Sequence, residues 1–325
     1  MKIAVLGGAG FLGSRLSELL DDSSDQVSIY DINSQVPRVT KIDVRQKESL
    51  EIIAEADVLI NLAAVHRDDV KPLSRYHDVN VTGARNICGV AEDRDINNII
   101  FISSVAVYGF ALPDIDEEGA HKPFNEYGKT KSEAESIFIK WQEKLPETRS
   151  LVIIRPTVIF GEGNRGNVYN LFSQIAARRF VMFGSGSNVK SIAYVANVAA
   201  FIKYSLSFSS GIHVFNYVDK PDFDMNQLVG KVRQVLFRKN NVGIRLPAFV
   251  GMLIGWCADF VGRFFSKPLP ISSIRVKKFM STTKFQSAVY NTDFLPPVKL
   301  EDAIESTLNY EFIEENSDKR TFYTE

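Results

Sequence analysis

Short apolar runs alternate with stretches of helical periodicity through the first half of the chain. A run over Lys2–Leu6 precedes a helical pattern over Ser14–Leu20. Further strand-like runs follow: Gln26–Tyr30, Val39–Val44, Val58–Leu62 and Ile99–Ile102. Strands that alternate with helices at this spacing predict an α/β fold with a doubly wound parallel sheet. Ligands bind such sheets at the carboxyl ends of the strands, so the residues with a chemical role are expected there.

The first strand ends in a glycine-rich turn. Residues 7–13 read Gly-Gly-Ala-Gly-Phe-Leu-Gly and fit both GxGxxG and GxxGxxG. Glycine allows a tight turn and close approach of the backbone to a pyrophosphate, which the following helix N-terminus then faces. The pattern predicts a Rossmann-type dinucleotide site. The residues that we expect to contact the cofactor there are Gly7, Gly10, Phe11, Leu12 and Gly13.

Other strand ends supply residues suited to the rest of a dinucleotide. Asp31 lies 18 residues beyond Gly13, where a carboxylate accepts the ribose hydroxyls and repels a 2′-phosphate. No arginine follows it immediately, so NAD is expected over NADP. Asp43 and Val44 are expected to border the adenine. The fourth run ends at Leu62 and leads into Ala63 and Ala64, small residues that permit close approach; all three are expected to contact the cofactor.

A tyrosine and a lysine four residues apart provide candidate acid/base chemistry. Tyr127 and Lys131 would share one face of a helix. An ammonium beside a phenol lowers the phenol's pKa, which is otherwise about 10. Taken alone, the pair fits an ordinary surface helix equally well. Downstream of a dinucleotide turn and of Ser104, it favours the reversible oxidation of a sugar hydroxyl.

Composition narrows the class of protein. The chain has 325 residues, 45% hydrophobic and 24% charged, with a net charge of −1, so it is not obviously built for nucleic acid. Cys88, Cys257 and the four histidines show no spacing typical of a metal or disulfide framework. A cytoplasmic globular enzyme without a structural metal is expected.

These motifs together resemble the extended short-chain dehydrogenases/reductases of the nucleotide-sugar epimerase/dehydratase type. The segments that carry the resemblance are Gly7–Gly13, Asp31, Asp43–Val44, Asn61–Ala64, Asn80, Ser103–Gly109, Tyr127–Lys131 and Arg155–Gly161. The resemblance implies NAD as cofactor and Ser104, Tyr127 and Lys131 as catalytic residues. It also implies a homodimer built from the helices around Val81–Glu92 and Tyr127–Trp141.

One departure from the family pattern narrows the reaction. Dehydratases of the family carry an acidic residue just after the serine, whereas Val105 and Ala106 follow Ser104 here. Neither side chain transfers a proton, so dehydration is disfavoured. Reaction at C4 remains, by 4-epimerisation or by 4-keto reduction. A protein that only senses NAD would not need Ser104, Tyr127 and Lys131 together.

A closer resemblance concerns family members whose amino sugar is carried on undecaprenyl diphosphate, in surface-polysaccharide biosynthesis. The segments that carry it are His66–Val70, Asn164–Leu171, Lys190–Val195, Tyr217–Pro221 and Ser272–Phe279. Soluble UDP-sugar epimerases commonly have Arg where Lys190 stands and Asp where Ala196 stands. A lipid-linked N-acetylhexosamine is therefore the expected substrate, at the cytoplasmic face of the inner membrane. A soluble UDP-N-acetylglucosamine 4-epimerase is the alternative.

The region from Met225 to Thr292 differs in charge from the rest of the chain. It holds eleven Lys/Arg and one acidic residue, Asp259, within a nearly neutral protein. It includes the apolar stretch Leu246–Phe265, whose uncharged part is shorter than the roughly 20 residues that span a bilayer. Residues 246–278 could contact a membrane surface. A core helix beside a diphosphate-binding face explains the pattern equally well.

Several cations and polar residues are candidates for holding the substrate. Arginine suits oxyanions because its donors form a fork. We expect four residues around the diphosphate: Arg165, Asn167, Lys190 and Arg275. His66 and Arg67 follow the Ala63–Ala64 turn and are candidates for contact with the sugar, as is Ser104.

Two interleaved lobes are expected. Residues 1–161 would form the NAD-binding domain, with returns at about 188–218. A smaller C-terminal α/β substrate lobe would hold residues 162–187 and 219–313. Residues 314–325 are expected to form a loose polar tail.

Overall fold

The computed structural model describes residues 1–21, 24–53, 55–67, 70–110, 112–264, 272–316 and 320–324, and it describes the side chains of the helix at 248–264 up to residue 262. The strands are β1 Lys2–Leu6, β2 Gln26–Asp31, β3 Val39–Lys41, β4 Val58–Asn61, β5 Asn98–Ile102, β6 Ser150–Pro156, β7 Val158–Phe160, β8 Val181–Phe183, β9 Val189–Lys190, β10 Ile192–Tyr194, β11 Gly211–Tyr217, β12 Phe223–Asp224 and β13 Ile244–Leu246. The α-helices are α1 Phe11–Asp21, α2 Ser74–Tyr76, α3 Gly83–Asp93, α4 Glu126–Glu143, α5 Asn167–Ala176, α6 Val195–Tyr204, α7 Met225–Phe237, α8 Ala248–Phe264, α9 Ser273–Met280 and α10 Leu300–Phe312. Four 3₁₀ turns and one π-helix complete the description: Lys47–Ile52, Val105–Tyr108, Ser205–Ser207, Ala288–Asn291 and the π-helix His77–Thr82.

Seven parallel strands form the central sheet, in the order β11-β6-β5-β4-β1-β2-β3. The order reverses at β1, as in a doubly wound dinucleotide fold. The predicted fold class is therefore confirmed. β3 is shorter than the predicted Val39–Val44, because the chain turns at Asp43, whose carbonyl accepts from the Gln46 N–H at 3.0 Å.

Both faces of the sheet are covered. Along β1, Ala4 and Leu6 face the core formed with α3 and α4, while Ile3 and Val5 face the core formed with α1 and α6. This alternation follows from the two-residue period of a strand. Buried on both sides, β1 reads in sequence as a nearly continuous apolar run.

A third core lies among elements from the second half of the chain. Phe172 of α5, Val229 of α7 and Ile304 of α10 pack together with Phe11, which begins α1. β11 pairs with β6 in the central sheet, so the chain returns there after visiting the smaller core. Among the described helices, none combines the length and apolar character that a bilayer span requires.

Candidate active site

The glycine turn joins β1 to α1 through a conformation that side chains would block. Gly7 has φ +85°, and a Cβ there would fall 2.6 Å from the Ala63 nitrogen at the end of β4. A Cβ on Gly13 would fall 2.5 Å from the Gly7 carbonyl oxygen. The turn is thus held against β4 and against the first turn of α1. Free backbone N–H groups at that helix end suit an anionic ligand.

Asp31 and Asp43 follow β2 and β3 at the same edge of the sheet. Asp31 accepts from the backbone N–H of Ala9 at 3.0 Å, which fixes its carboxylate beside the glycine turn. Asp43 pairs with Arg45 through Arg45 Nε at 2.8 Å, and this hydrogen bond lowers the pKa of Asp43. Both carboxylates therefore have defined positions at the end of the site that is formed by β2 and β3, away from β5.

The turn after β4 is braced by two asparagines. Asn61 Oδ1 accepts from the Ala63 N–H at 3.1 Å. Asn80, 4% exposed, bonds both the N–H and the carbonyl of Val65 and also donates to Thr130 on α4. Asn80 lies in the π-helix that precedes α3. It joins this turn to the helix that carries Tyr127 and Lys131.

Ser104 and Tyr127 are placed by a helix cap and a close contact. Ser104 begins a 3₁₀ turn, where its Oγ accepts from the Ala106 N–H at 3.1 Å. Asn125 caps α4 by accepting from the Gly128 N–H at 2.9 Å, so Tyr127 lies in the first turn. A Cβ on Gly128 would fall 2.4 Å from the Ala106 carbonyl oxygen. Glycine therefore lets the first turn of α4 approach the turn that begins at Ser104.

Lys131 is buried, with 2% of its surface exposed. Its Nζ donates to the Ile102 carbonyl at 2.7 Å and lies 4.7 Å from the centre of the Phe101 ring. Burial lowers its pKa to about 7, against the opposing effect of Glu135. An amine with this pKa exchanges its proton near neutral pH, unlike an exposed lysine.

A buried polar network that the sequence reasoning missed lies behind these residues. Glu135 accepts from Arg155 Nη2 at 2.7 Å and from Arg155 Nε at 3.0 Å, and the hydroxyl of Ser103 donates to it. Arg155 Nη1 also donates to the Tyr108 hydroxyl at 2.6 Å. The sequence signal that could have revealed Glu135 is its four-residue spacing from Lys131, which puts both side chains on one face of α4. Arg155, the partner of Glu135, lies too far along the chain for local periodicity to reveal it.

A cavity of about 680 Å³ runs along the carboxyl ends of β1, β2, β4 and β5. Every residue predicted to contact the cofactor lines it, and so does Ser104. Of the remaining predicted substrate residues, His66 and Asn167 line it too. His66 stays more than a third exposed, yet the surrounding protein atoms and Lys131 lower its pKa.

Four predicted substrate residues are not among the described residues that line this cavity: Arg67, Arg165, Lys190 and Arg275. Arg165 pairs with Glu311 at 2.6 Å. Lys190 Nζ donates to the carbonyls of Lys278 and Ser281 at 2.8 and 2.6 Å, and burial lowers its pKa to about 8. Both side chains hold neighbouring segments in place.

Other lining residues were not singled out from the sequence, although Thr157, Asn164, Gly166 and Ser191 lie within segments that carry the resemblance. They are Arg45, Arg75, Thr157, Asn164, Gly166, Ser191, Thr283, Phe285 and Thr324, among others. Thr324 lies in the expected loose tail, yet its Oγ1 donates to Asn164 at 2.6 Å. Arg320 donates to the Ala9 carbonyl at 2.7 Å, and the Phe322 ring lies 5.6 Å from the Phe11 ring. Residues 320–324 therefore pack against the glycine turn.

The residues that line the cavity are of the types that bind NAD. The glycine turn packs closely against the end of β4, where the pyrophosphate would lie, and the Asp31 carboxylate can accept hydrogen bonds from a ribose. Tyr127, Lys131 and Ser104 lie at the other end, where the reacting part of the cofactor and a sugar would meet. These residues would hold the cofactor and place its nicotinamide next to a proton-transferring group.

Residues 3–216 match the NAD dependent epimerase/dehydratase family. The chain belongs to this family. NAD is accordingly its cofactor. Over its full length it is 46% identical to the N-acetyl-alpha-D-glucosaminyl-diphospho-ditrans,octacis-undecaprenol 4-epimerase of Escherichia coli O157:H7, and covers 99% of that protein. It is 26% identical to the UDP-glucose 4-epimerase of Vibrio cholerae, over 82% of this chain and 83% of that one.

Solved structures share the fold of this family member. UDP-glucose 4-epimerase from Thermotoga maritima, with UDP-glucose, superposes with a TM-score of 0.74 at 18% identity, covering 95% of this chain and 98% of that one. The UDP-N-acetylglucosamine 4-epimerase of Methanobrevibacter ruminantium M1, in complex with UDP-N-acetylmuramic acid, gives 0.73 at 21% identity, with coverage of 95% and 97%. At these identities the likeness establishes the fold alone.

Proposed function

We propose that the protein is an NAD-dependent 4-epimerase that interconverts N-acetylglucosaminyl- and N-acetylgalactosaminyl-diphospho-undecaprenol. The observation that carries this proposal is the 46% identity to the E. coli enzyme over the full chain. The grouping of Ser104, Tyr127 and Lys131 on one cavity wall supports it chemically. The biological setting would be the synthesis of O-antigen or another surface polysaccharide.

In this proposal three residues handle the proton on the sugar 4-hydroxyl. Tyr127 removes that proton and later returns it, while Ser104 hydrogen-bonds the same oxygen. Lys131 would hold the nicotinamide ribose and, in its charged form, favour the phenolate of Tyr127; the proton that Tyr127 takes is the one that it returns, so none is gained or lost. Bound NAD supplies reversible hydride acceptance at C4. The side chains then retain the 4-keto sugar while it rotates and presents its other face to the cofactor.

The residues after Ser104 restrict the reaction to C4. Val105 and Ala106 line the cavity and carry no ionisable group. A dehydratase needs a further acid/base to eliminate water, and these positions do not provide one. Internal return of the hydride also requires no external reductant, which separates this proposal from a 4-ketoreductase.

The substrate contacts are proposed in two groups. His66 and Asn167 line the cavity and are placed to contact the sugar and its diphosphate. Arg67 and Arg275 are kept as candidates for the outer part of the carrier. Arg165 and Lys190 are proposed to act through the segments that they hold, because Glu311 and two backbone carbonyls occupy their donors.

The molecular setting is part of the proposal. We place the protein at the cytoplasmic face of the inner membrane, as a homodimer formed through α3 and α4. The NAD-binding lobe would comprise residues 1–161 with returns at about 188–218. Residues 162–187 and 219–313 would form the substrate lobe. The pairing of β11 with β6 supports such a return.

Turnover in deuterium oxide tests the reaction type. The purified protein would receive the N-acetylglucosaminyl lipid without added cofactor, and the product sugar would be analysed by mass spectrometry and NMR. We expect N-acetylgalactosamine with protium retained at C4, because the hydrogen leaves and returns within the site. Deuterium at C4, or a requirement for added NADH, would contradict the proposal.

A further inference from the structure

Helix α8 presents its largest apolar side chains to solvent. Phe249, Leu253, Trp256 and Phe260 recur at i, i+4, i+7 and i+11, so they share one face of the helix. Their exposed fractions are 72%, 55%, 59% and 73%. A surface helix of a soluble protein normally turns such a stripe inward, so this helix has the reverse orientation.

The opposite face of α8 is fitted to the protein by small residues. A Cβ on Gly251 would fall 2.7 Å from the Phe183 ring, and one on Gly255 would fall 2.7 Å from the Ser273 Cα. Asp259 also points to this side, where its carboxylate accepts from the Ser273 N–H at 3.1 Å. Rotating the helix would break the hydrogen bond between Asp259 and the Ser273 N–H. It would also drive large rings into a space that admits only glycine. The apolar stripe is therefore held outward by close packing.

Cations lie beside the stripe. Arg275 and Lys277 on α9 are exposed, as is Arg245, which lies three residues before α8 begins. They belong to the strongly basic region between Met225 and Thr292. An apolar helix face flanked by Lys and Arg is complementary to the interface of an anionic bilayer.

An aromatic surface connects this region with the active site. Phe110 and Phe124 are 66% and 43% exposed, and their rings stack at 4.4 Å. The Nζ of Lys278, on α9, lies 5.0 Å from the centre of the Phe124 ring. Gly109 and Tyr127, close to these rings in sequence, line the cavity. Apolar surface thus leads from the cavity to the helix that packs on α8.

We infer that the outer stripe of α8 inserts into the headgroup region of an anionic bilayer, and that Phe110 and Phe124 cover the polyprenyl chain between bilayer and cavity. The inference rests on the proposed function for the nature of the substrate. The docking itself rests on the stripe and the adjacent cations. A second copy of this chain is the competing occupant of the stripe.

Tryptophan fluorescence reads this contact directly, because the chain has two tryptophans. Trp141 is 1% exposed and Trp256 is 59% exposed, so a change on adding vesicles reports on α8. We expect a blue shift with phosphatidylglycerol/phosphatidylcholine vesicles, quenching by brominated lipid, and a weaker effect with phosphatidylcholine alone or at high salt. Trp256→Phe should abolish the shift.

Paired variants separate the stripe from general surface hydrophobicity. The double variant Phe249→Ser/Phe260→Ser should weaken vesicle binding by at least about tenfold, since neither position would then transfer an aromatic ring from water into the bilayer interface. Leu145→Ser/Leu295→Ser removes two apolar side chains that are 49% and 84% exposed elsewhere, and should bind as the wild type does.

Three results would overturn the inference: no fluorescence response to vesicles, equal loss of binding in both double variants, or conversion of a dimer to monomers by the stripe variant. Vesicle binding is measured without sugar, and turnover is measured separately in detergent micelles. Docking without turnover would refute the proposed function and leave the docking standing. Turnover without docking would refute the docking and leave the proposed function standing.

Discussion

At the scale of single residues, Tyr127 is the group on which the proposed chemistry depends. Its position follows from the Asn125 cap and from the absence of a side chain on Gly128. We expect Tyr127→Phe to lower kcat by about 10²–10⁴-fold, because the phenol oxygen is the proton acceptor. NAD released on denaturation should remain at the wild-type amount.

Tyr204→Phe is the matched control for this substitution. The Tyr204 ring packs against Phe201 and Phe294, away from the cavity, so losing its hydroxyl should leave kcat unchanged. Turnover of Tyr127→Phe near the wild-type rate would remove Tyr127 from the mechanism.

Lys131 makes stability depend on pH. Its pKa is about 7 in the folded protein, against an ordinary value of 10.5. Between these two pKa values the unfolded chain binds more protons than the folded protein does, so the free energy of unfolding rises with pH. Below pH 7 Lys131 is charged in both states, and the folded protein bears the whole cost of burying that charge. We expect the wild-type value minus that of Lys131→Met to increase by about 3 kcal/mol from about pH 6 to about pH 9.5.

Urea unfolding at each pH measures this difference, with NAD content held equal. Lys129→Met on the same helix is the control, because Lys129 is exposed and pairs with Glu126 at the surface. Its difference from the wild type should stay constant over this range. A constant difference for Lys131→Met as well would show that Lys131 is not buried as a titrating amine.

Residues whose role depends on nearby sequence were predictable, and residues paired across the chain were not. The glycine turn and Asp31 follow from backbone geometry within one strand–helix unit. Arg165 has the residue type of a diphosphate ligand, but Glu311 pairs with it from 146 positions away. Its partner is fixed by tertiary packing, which residue type and spacing do not encode.

At the scale of elements, α4 is anchored by the buried pair between Glu135 and Arg155, which are 1% and 5% exposed. We expect Glu135→Ala to lower the free energy of unfolding by about 3–5 kcal/mol, because Arg155 would keep its charge without its carboxylate. Lys129→Ala, which breaks an exposed pair on the same helix, should cost less than about 1 kcal/mol. Equal losses in chemical denaturation would contradict a structural role for the buried pair.

The segment 320–324 is a second element with a measurable effect. Phe322 packs against Phe11, and Phe11 lines the cavity. Phe322→Ala should raise the Kd for NAD by about tenfold, which is equivalent to about 1.4 kcal/mol. The variant should therefore lose NAD faster on gel filtration. Tyr323→Ala, at a side chain that is 68% exposed, should retain NAD as the wild type does. Identical retention in both variants would make the docked segment irrelevant to the cofactor.

Composition alone did not reveal the contacts of this segment, because polarity predicts solvent exposure on average. These contacts are specific. Arg320 donates to the Ala9 carbonyl, the Thr324 hydroxyl donates to Asn164, and Phe322 packs on Phe11 and makes backbone hydrogen bonds with Gly163 and Arg165. The apolar stretch of α8 was ambiguous for a related reason. Its sequence contains both a face of glycines and a face of aromatic rings, and only the packed structure shows which of them faces outward.

At the scale of the whole molecule, the doubly wound parallel sheet and the sheet edge at which a ligand binds could be predicted together. Parallel strands with helical connections leave few arrangements, and the glycine turn identifies β1 as the point where the order reverses. The three small two-stranded sheets were not predicted, since their strands have two or three residues and no periodicity to detect. Ser191 lies between two of these short strands, β9 and β10. Its N–H donates to the Thr283 carbonyl at 2.9 Å, and both residues line the cavity.

The central claim is that this family member epimerises a sugar carried on a lipid diphosphate. A paired turnover assay without added cofactor tests it most directly. One sample receives N-acetylglucosaminyl-diphospho-undecaprenol in detergent, the other receives UDP-N-acetylglucosamine, and the C4 configuration of each product is determined. We predict conversion of the lipid-linked sugar and little or none of the nucleotide sugar. Conversion of the UDP-sugar alone would contradict the account and assign the protein to the soluble epimerases.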